Sequence, residues 1–193
     1  GHAGQAIFAY GYTGSNVSMS NLVNSSGVVA SDVTGVGTGR SGLGAAKYGH
    51  DKAIFGYGYT GSASSLTNLV SNTGVVGSDV TGVGTARYYI NAASYGTDKA
   101  IFAYGTTGSV TAISNLVSNS GVVASDVSGV GTARGGNPGT GYGGDTAIFA
   151  YGLTSGDVSM SNKVSNTGVV AADVSGVGTA RRNLAAAGFS LSA

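Results

Sequence analysis

The sequence predicts an all-β protein built by repetition, and three observations carry that prediction. Arg40, Arg87, Arg134 and Arg181 stand 47 residues apart (87 − 40, 134 − 87, 181 − 134), and the same spacing separates Asp32, Asp79, Asp126 and Asp173, and Phe8, Phe55, Phe102 and Phe149. A fixed period of this size marks a repeat architecture. Each period breaks into short β-branched or aromatic runs separated by Gly, Ser, Thr and Asn, which is the pattern of strands and turns. Nowhere do about ten residues run at helical spacing, and Gly and Ser interrupt every stretch.

The second unit shows the elements in order. Leu43 to Tyr48 is rich in small residues and forms segment a. Gly49-His50-Asp51 is a turn, and the apolar run Ala53-Ile54-Phe55-Gly56-Tyr57 is segment b. A Gly/Ser/Thr loop from Gly58 to Ser65 leads to segment c, Leu66 to Ser71. Asn72-Thr73-Gly74 supplies a turn in which glycine takes φ > 0. Segment d is the β-branched run Val75 to Val80, and Gly82 to Arg87 leads out. In segment b, Phe55 and Tyr57 are two residues apart, so strict alternation places both aromatics on one face, packed between neighbouring units.

Four β segments in a repeat of 40–50 residues describe one blade of a β-propeller. The chain of 193 residues then reads as one repeat domain, 1–193, with blade boundaries near Arg40, Arg87, Arg134 and Arg181. It starts after segment a of the first unit and ends with one spare segment a, Leu184 to Phe189. A ring closes when that C-terminal strand joins the first blade, which protects edges that otherwise template aggregation. Closure within one chain gives a four-bladed monomer, and strand exchange between two chains gives an eight-bladed dimer. The small residues Ala45-Ala46, Ala92-Ala93 and Ala185-Ala186-Ala187 suit the narrow axis of a four-fold ring and favour the monomer.

Composition narrows the function. Charged residues are 9% of the chain, there is no Glu, and the net charge is +1 from dispersed basic residues. A nucleic-acid footprint wants a clustered basic face, so no such partner is expected. The absence of Cys excludes thiolate catalysis and zinc–thiolate sites. No apolar run approaches the roughly 20 residues of a membrane span. No signal peptide is visible, and Gly1-His2 reads as a cloning remnant.

The order Arg87, Ala92-Ala93, Ile101-Phe102-Ala103-Tyr104-Gly105 and Val130-Gly131-Thr132-Ala133-Arg134 resembles a kelch repeat along the whole chain. The kelch glycine pair has become Tyr-Gly (Tyr10-Gly11, Tyr57-Gly58, Tyr104-Gly105, Tyr151-Gly152), and the kelch tryptophan is absent. The resemblance implies a propeller. The copper site of galactose oxidase, a kelch-type enzyme, needs Cys and His ligands; this chain has no Cys, its His2 and His50 are not arranged like a metal site, and no cofactor is expected. More loosely, the near-identical units resemble repeat arrays of tailed-phage proteins.

The recurring Asp and Arg read best as a blade-to-blade ion pair or turn cap. Gly82-x-Gly84 lacks the third glycine and the helix of a dinucleotide loop. Asp51, Asp98 and Asp145 sit in a–b turns, where Asp is an ordinary turn residue. Differences between units are confined to the b–c loops and the d–a segments, which emerge on one face of an up-and-down blade. Loops on a rigid scaffold are where binding concentrates. The candidate ligand-binding residues are Tyr12, Tyr59, Tyr88, Tyr89, Asp157 and Arg182. The leading reading is a non-enzymatic structural or recognition propeller, displayed on a virion or outside the cell, with a glycan or protein ligand. A glycan-acting enzyme using Asp side chains and an engineered or excised scaffold without activity stay open as alternatives.

Overall fold

The computed structural model describes residues 4–189. Among them there is no helix, and the strands form four small antiparallel sheets. The first sheet pairs β1 (Ala6–Tyr12) with β2 (Asn16–Val23). The second is the meander β3 (Gly44–Tyr48), β4 (Lys52–Tyr59), β5 (Ala63–Val70). The third is β6 (Asn91–Tyr95), β7 (Lys99–Ala103), β8 (Ser114–Val117), and the fourth is β9 (Gly139–Tyr142), β10 (Thr146–Leu153), β11 (Asp157–Val164). Segments a, b and c are therefore strands in that order, and among the described residues the first sheet holds only b and c.

Segment d departs from the expected strand. It touches c only through isolated bridges, Thr67 to Val80 and Val70 to Val76 in the second unit. The interval holds one residue more on d than on c, so the ladder cannot run through it. The gap is spanned by a side chain: Asn68 Nδ2 donates to the Gly77 carbonyl at 3.0 Å. Asn21, Asn115 and Asn162 do the same to Ala30, Ala124 and Ala171. The d ribbon lies outermost, and Val28, Val75, Val122 and Val169 on it are exposed.

The a strands stand side by side, β3 packing on β6 and β6 on β9. Ala92 and Ala93 are buried there, and Ser94 Oγ donates to the Lys47 carbonyl at 2.8 Å. Their small side chains allow that approach. Main-chain bonds also tie successive a–b turns, from Gly49 N–H to Asp98 and from Gly96 N–H to Asp145, both at 2.7 Å.

The aromatics of segment b pack between sheets, but not from one face. Phe55 meets Tyr10 of the preceding sheet, with ring centroids 5.6 Å apart, whereas Tyr57 meets Phe102 of the following sheet at 5.1 Å. Tyr104 and Phe149 repeat the second contact at 5.7 Å. The cause is a register shift between Gly56 and Gly58, with Tyr57 in the left-handed region at φ 63°. The bulge breaks the alternation and turns the tyrosine to the other side.

The C-terminal stretch, residues 184–189, forms no strand, and its Gly188 lies against Gly141 of β9. Among the described residues no main-chain hydrogen bond joins it to β1, so the first sheet keeps one open edge.

Candidate functional site

Two features repeat between units and could carry function: a joint between sheets and a face of loops. The joint is built from the Val-Gly-Thr-x-Arg run that ends each unit. Arg40 is fully buried, and its guanidinium lies 4.3 Å from the centroid of the Tyr10 ring in its own unit. From there it reaches the next unit, with Nε donating to the Tyr57 carbonyl at 2.8 Å and an Nη to Asn68 Oδ1 at 2.6 Å. Thr38 donates through its N–H and its hydroxyl to Asp79, the hydroxyl at 2.7 Å. Asn68 Nδ2 completes the set by donating to Asp79 at 2.9 Å. Gly37, at φ 74°, sits so close that a Cβ would run into the Asp79 carboxylate.

Arg87 repeats this over Tyr57 with Asn115, and Thr85 with Asp126. Arg134 lies over Tyr104, and Thr132 bonds Asp173, although here the arginine takes the Phe149 carbonyl. The recurring Arg and Asp link neighbouring sheets, mostly through neutral partners rather than through the ion pair the spacing suggests. Direct ion pairing is secondary: the Arg40–Asp79 separation is 4.0 Å and the Arg87–Asp126 separation 3.6 Å. The neutral partners, Asn68, Thr38 and the Tyr57 carbonyl, make the short bonds, and sequence spacing alone did not single them out.

Burial sets the electrostatics of the joint. Desolvation pushes the Tyr57 phenol up to about 12, against the pull of the Arg87 charge. Desolvation also lowers Arg40 and Arg87 from the ordinary arginine value, with the adjacent tyrosine opposing. At Asp79, Asp126 and Asp173 burial works against ionisation, but the bonds from threonine and asparagine outweigh it and hold each carboxyl below the usual range.

The loop face holds the residues chosen from sequence variation. The d–a segments run alongside the ends of the b strands, with bridges from Ser41 to Tyr59, Tyr88 to Thr106 and Gly135 to Leu153. The b–c and d–a connections thus share one end of the sheets. There the structure gathers Tyr59, Tyr88 and Tyr89: the Tyr59–Tyr88 and Tyr88–Tyr89 centroids are each 5.1 Å apart. Tyr59 and Tyr89 are exposed. Asp157 and Arg182 form a surface ion pair at 3.3 Å, between the first residue of β11 and the following d–a segment. Tyr12 is the exposed last residue of β1, beside the first b–c turn, and has no aromatic partner among the described residues.

The opposite end is tied by turn carboxylates. Asp98 accepts from Lys99 and Asn119, Asp145 from Asn166, and Asp51 from Lys52. Among the described residues no three His or Asp side chains gather to hold a metal.

No protein-family model matches the chain, and comparison with curated proteins returned no significant match.

Proposed function

We propose that the chain is a kelch-like β-propeller module without catalytic activity, a structural and recognition element of the kind carried on a phage particle, completed when the C-terminal a strand joins a first blade. The observation that carries the recognition reading is the run of three tyrosines, Tyr59, Tyr88 and Tyr89, on the loop face. Their rings offer flat apolar surfaces with hydroxyl groups at the rim, which suit sugar rings or the surface of a protein partner. They stand on units whose buried arginines fix the scaffold beneath them. The kelch correspondence is supported by the backbone at Tyr10, Tyr57, Tyr104 and Tyr151, each at φ between 62° and 65°, a conformation glycine adopts readily. These tyrosines stand where the kelch pattern has the first glycine of its pair.

A glycan array tests the reading. The intact chain should bind a narrow group of sugars, and Tyr88→Ala with Tyr89→Ala should weaken that binding at least tenfold with an unchanged circular dichroism spectrum. Turnover of the glycans would favour the enzyme instead, and silence across the array would favour a scaffold without activity.

A further inference from the structure

The two ends of the array carry the two halves of the joint that is completed inside it. At the leading end, β1 has an open edge among the described residues, where β4, β7 and β10 each have an a strand. A groove of about 660 Å³ runs there, lined by Ala6, Ile7, Ala45, Ala46 and Phe55. Phe8 is 64% exposed, whereas Phe55, Phe102 and Phe149 are each covered by a tyrosine of the preceding sheet. Asn21 donates to Asp32 at 2.8 Å, as Asn68 does to Asp79. Yet among the described residues no threonine reaches Asp32 and no arginine reaches Asn21.

At the trailing end stand the complements. The Arg181 guanidinium lies 4.2 Å from the centroid of Tyr151, and its one described hydrogen bond is to the Thr179 carbonyl. Gly178 keeps the left-handed backbone of Gly37, at φ 77°, with no carboxylate beside it. Ala185 to Phe189 follows, an unpaired a segment whose Phe189 is 90% exposed.

We propose that a second copy of this chain docks head to tail, its trailing end filling the groove beside β1. The internal joints fix the geometry, because Arg181 is Arg40 displaced by three periods (3 × 47 = 141). Thr179 bonds Asp32, and Arg181 reaches the Asn21 side-chain carbonyl and the Tyr10 main-chain carbonyl. Tyr151 covers Phe8. Ala185 pairs with Ala9 and Ala187 with Ile7, as Gly44 pairs with Gly56 and Ala46 with Ile54. Strand pairing, aromatic packing, a cation with its acceptors and a hydroxyl with its carboxylate all coincide at one interface. The occupant is a second copy because Gly188 of the chain's own C-terminal segment lies against Gly141 of β9, and among the described residues no main-chain hydrogen bond joins residues 184–189 to β1. Two copies that use this interface twice close a ring of eight sheets and leave no open edge. The inference rests on the propeller reading and adds its partner.

The chain has no cysteine, so single cysteines report cleanly. Ile7→Cys and Ala187→Cys are made separately, mixed, and oxidised. The expected product is a disulfide-linked heterodimer, well above the self-linked background of either variant alone. The double variant distinguishes the alternatives: a disulfide formed within single chains would overturn the second copy and keep the ring. Absence of any cross-link in both experiments would overturn the docking and the ring together, while leaving the loop face to the glycan array.

Discussion

Tyr57 occupies a backbone conformation that costs a non-glycine residue on the order of 1–3 kcal/mol. Its surroundings over-determine the position: the hydroxyl donates to the Val83 carbonyl at 3.1 Å, Arg87 covers one side of the ring and Phe102 touches an edge. The same set holds Tyr104 against Val130, Arg134 and Phe149. Phe102 is fully buried in this contact, so Phe102→Ala should destabilise by about 3–5 kcal/mol in urea denaturation. A loss under about 1 kcal/mol would mean that the aromatic layer between sheets does not hold them. Asn137 is the opposite case. It stands at the position of Leu43 and Ile90, fully buried, and neither polar atom of its side chain has a partner among the described residues. Replacing it by Ile removes an unsatisfied amide, and the expected gain is about 1–3 kcal/mol, read in the same assay. A loss on Asn137→Ile would show that the amide is satisfied after all.

The joint is the element that turns separate sheets into an array. Arg87 is stacked and bonded at fixed angles, which an ammonium cannot reproduce. Arg87→Lys should therefore cost nearly as much as Arg87→Ala, about 3–5 kcal/mol, with thermal unfolding as the measure. Near-complete rescue by lysine would show that charge alone matters. The carboxylates give a pH signature. Asp79, Asp126 and Asp173 have folded-state pKa values below the unfolded value of about 4. Their contribution is complete above pH 4 and is lost as pH falls through the folded values, so stability should drop on the acid side below pH 4. Asp126→Asn should flatten that limb. Tyr57 has the reverse sign: its phenol titrates near 10 unfolded and about 12 folded, so its contribution is complete below pH 10 and lost between pH 10 and 12. The recurring Arg and Asp were legible from spacing. Their partners were not, because Asn68 lies 28 residues beyond Arg40 in another unit, and only the stacking of sheets brings them together. The opposed faces of Phe55 and Tyr57 were likewise hidden, since a bulge changes side-chain direction without changing composition.

On the scale of the whole molecule, the period announced the all-β units and the order of strands a, b and c within them, whereas the C-terminal a segment forms no strand. Segment d was legible as a β-branched run, but not its loose attachment, which follows from one extra residue per unit and an asparagine that takes the place of a ladder bond. Helix content gives a first check: far-ultraviolet circular dichroism should show less than about a tenth helix, against about a third in ordinary domains. The rotation from one sheet to the next is set by packing at the joint, and no sequence pattern encodes it directly. The alanines of segment a suit a narrow axis, yet they are equally needed where β3, β6 and β9 pass one another, so they do not fix the number of sheets in a ring. Complementary ends do bear on it. Light scattering on the intact chain through serial dilution decides between the two rings: a mass near twice 18.7 kDa should persist on dilution, and a mass of 18.7 kDa at every concentration would contradict the head-to-tail pair.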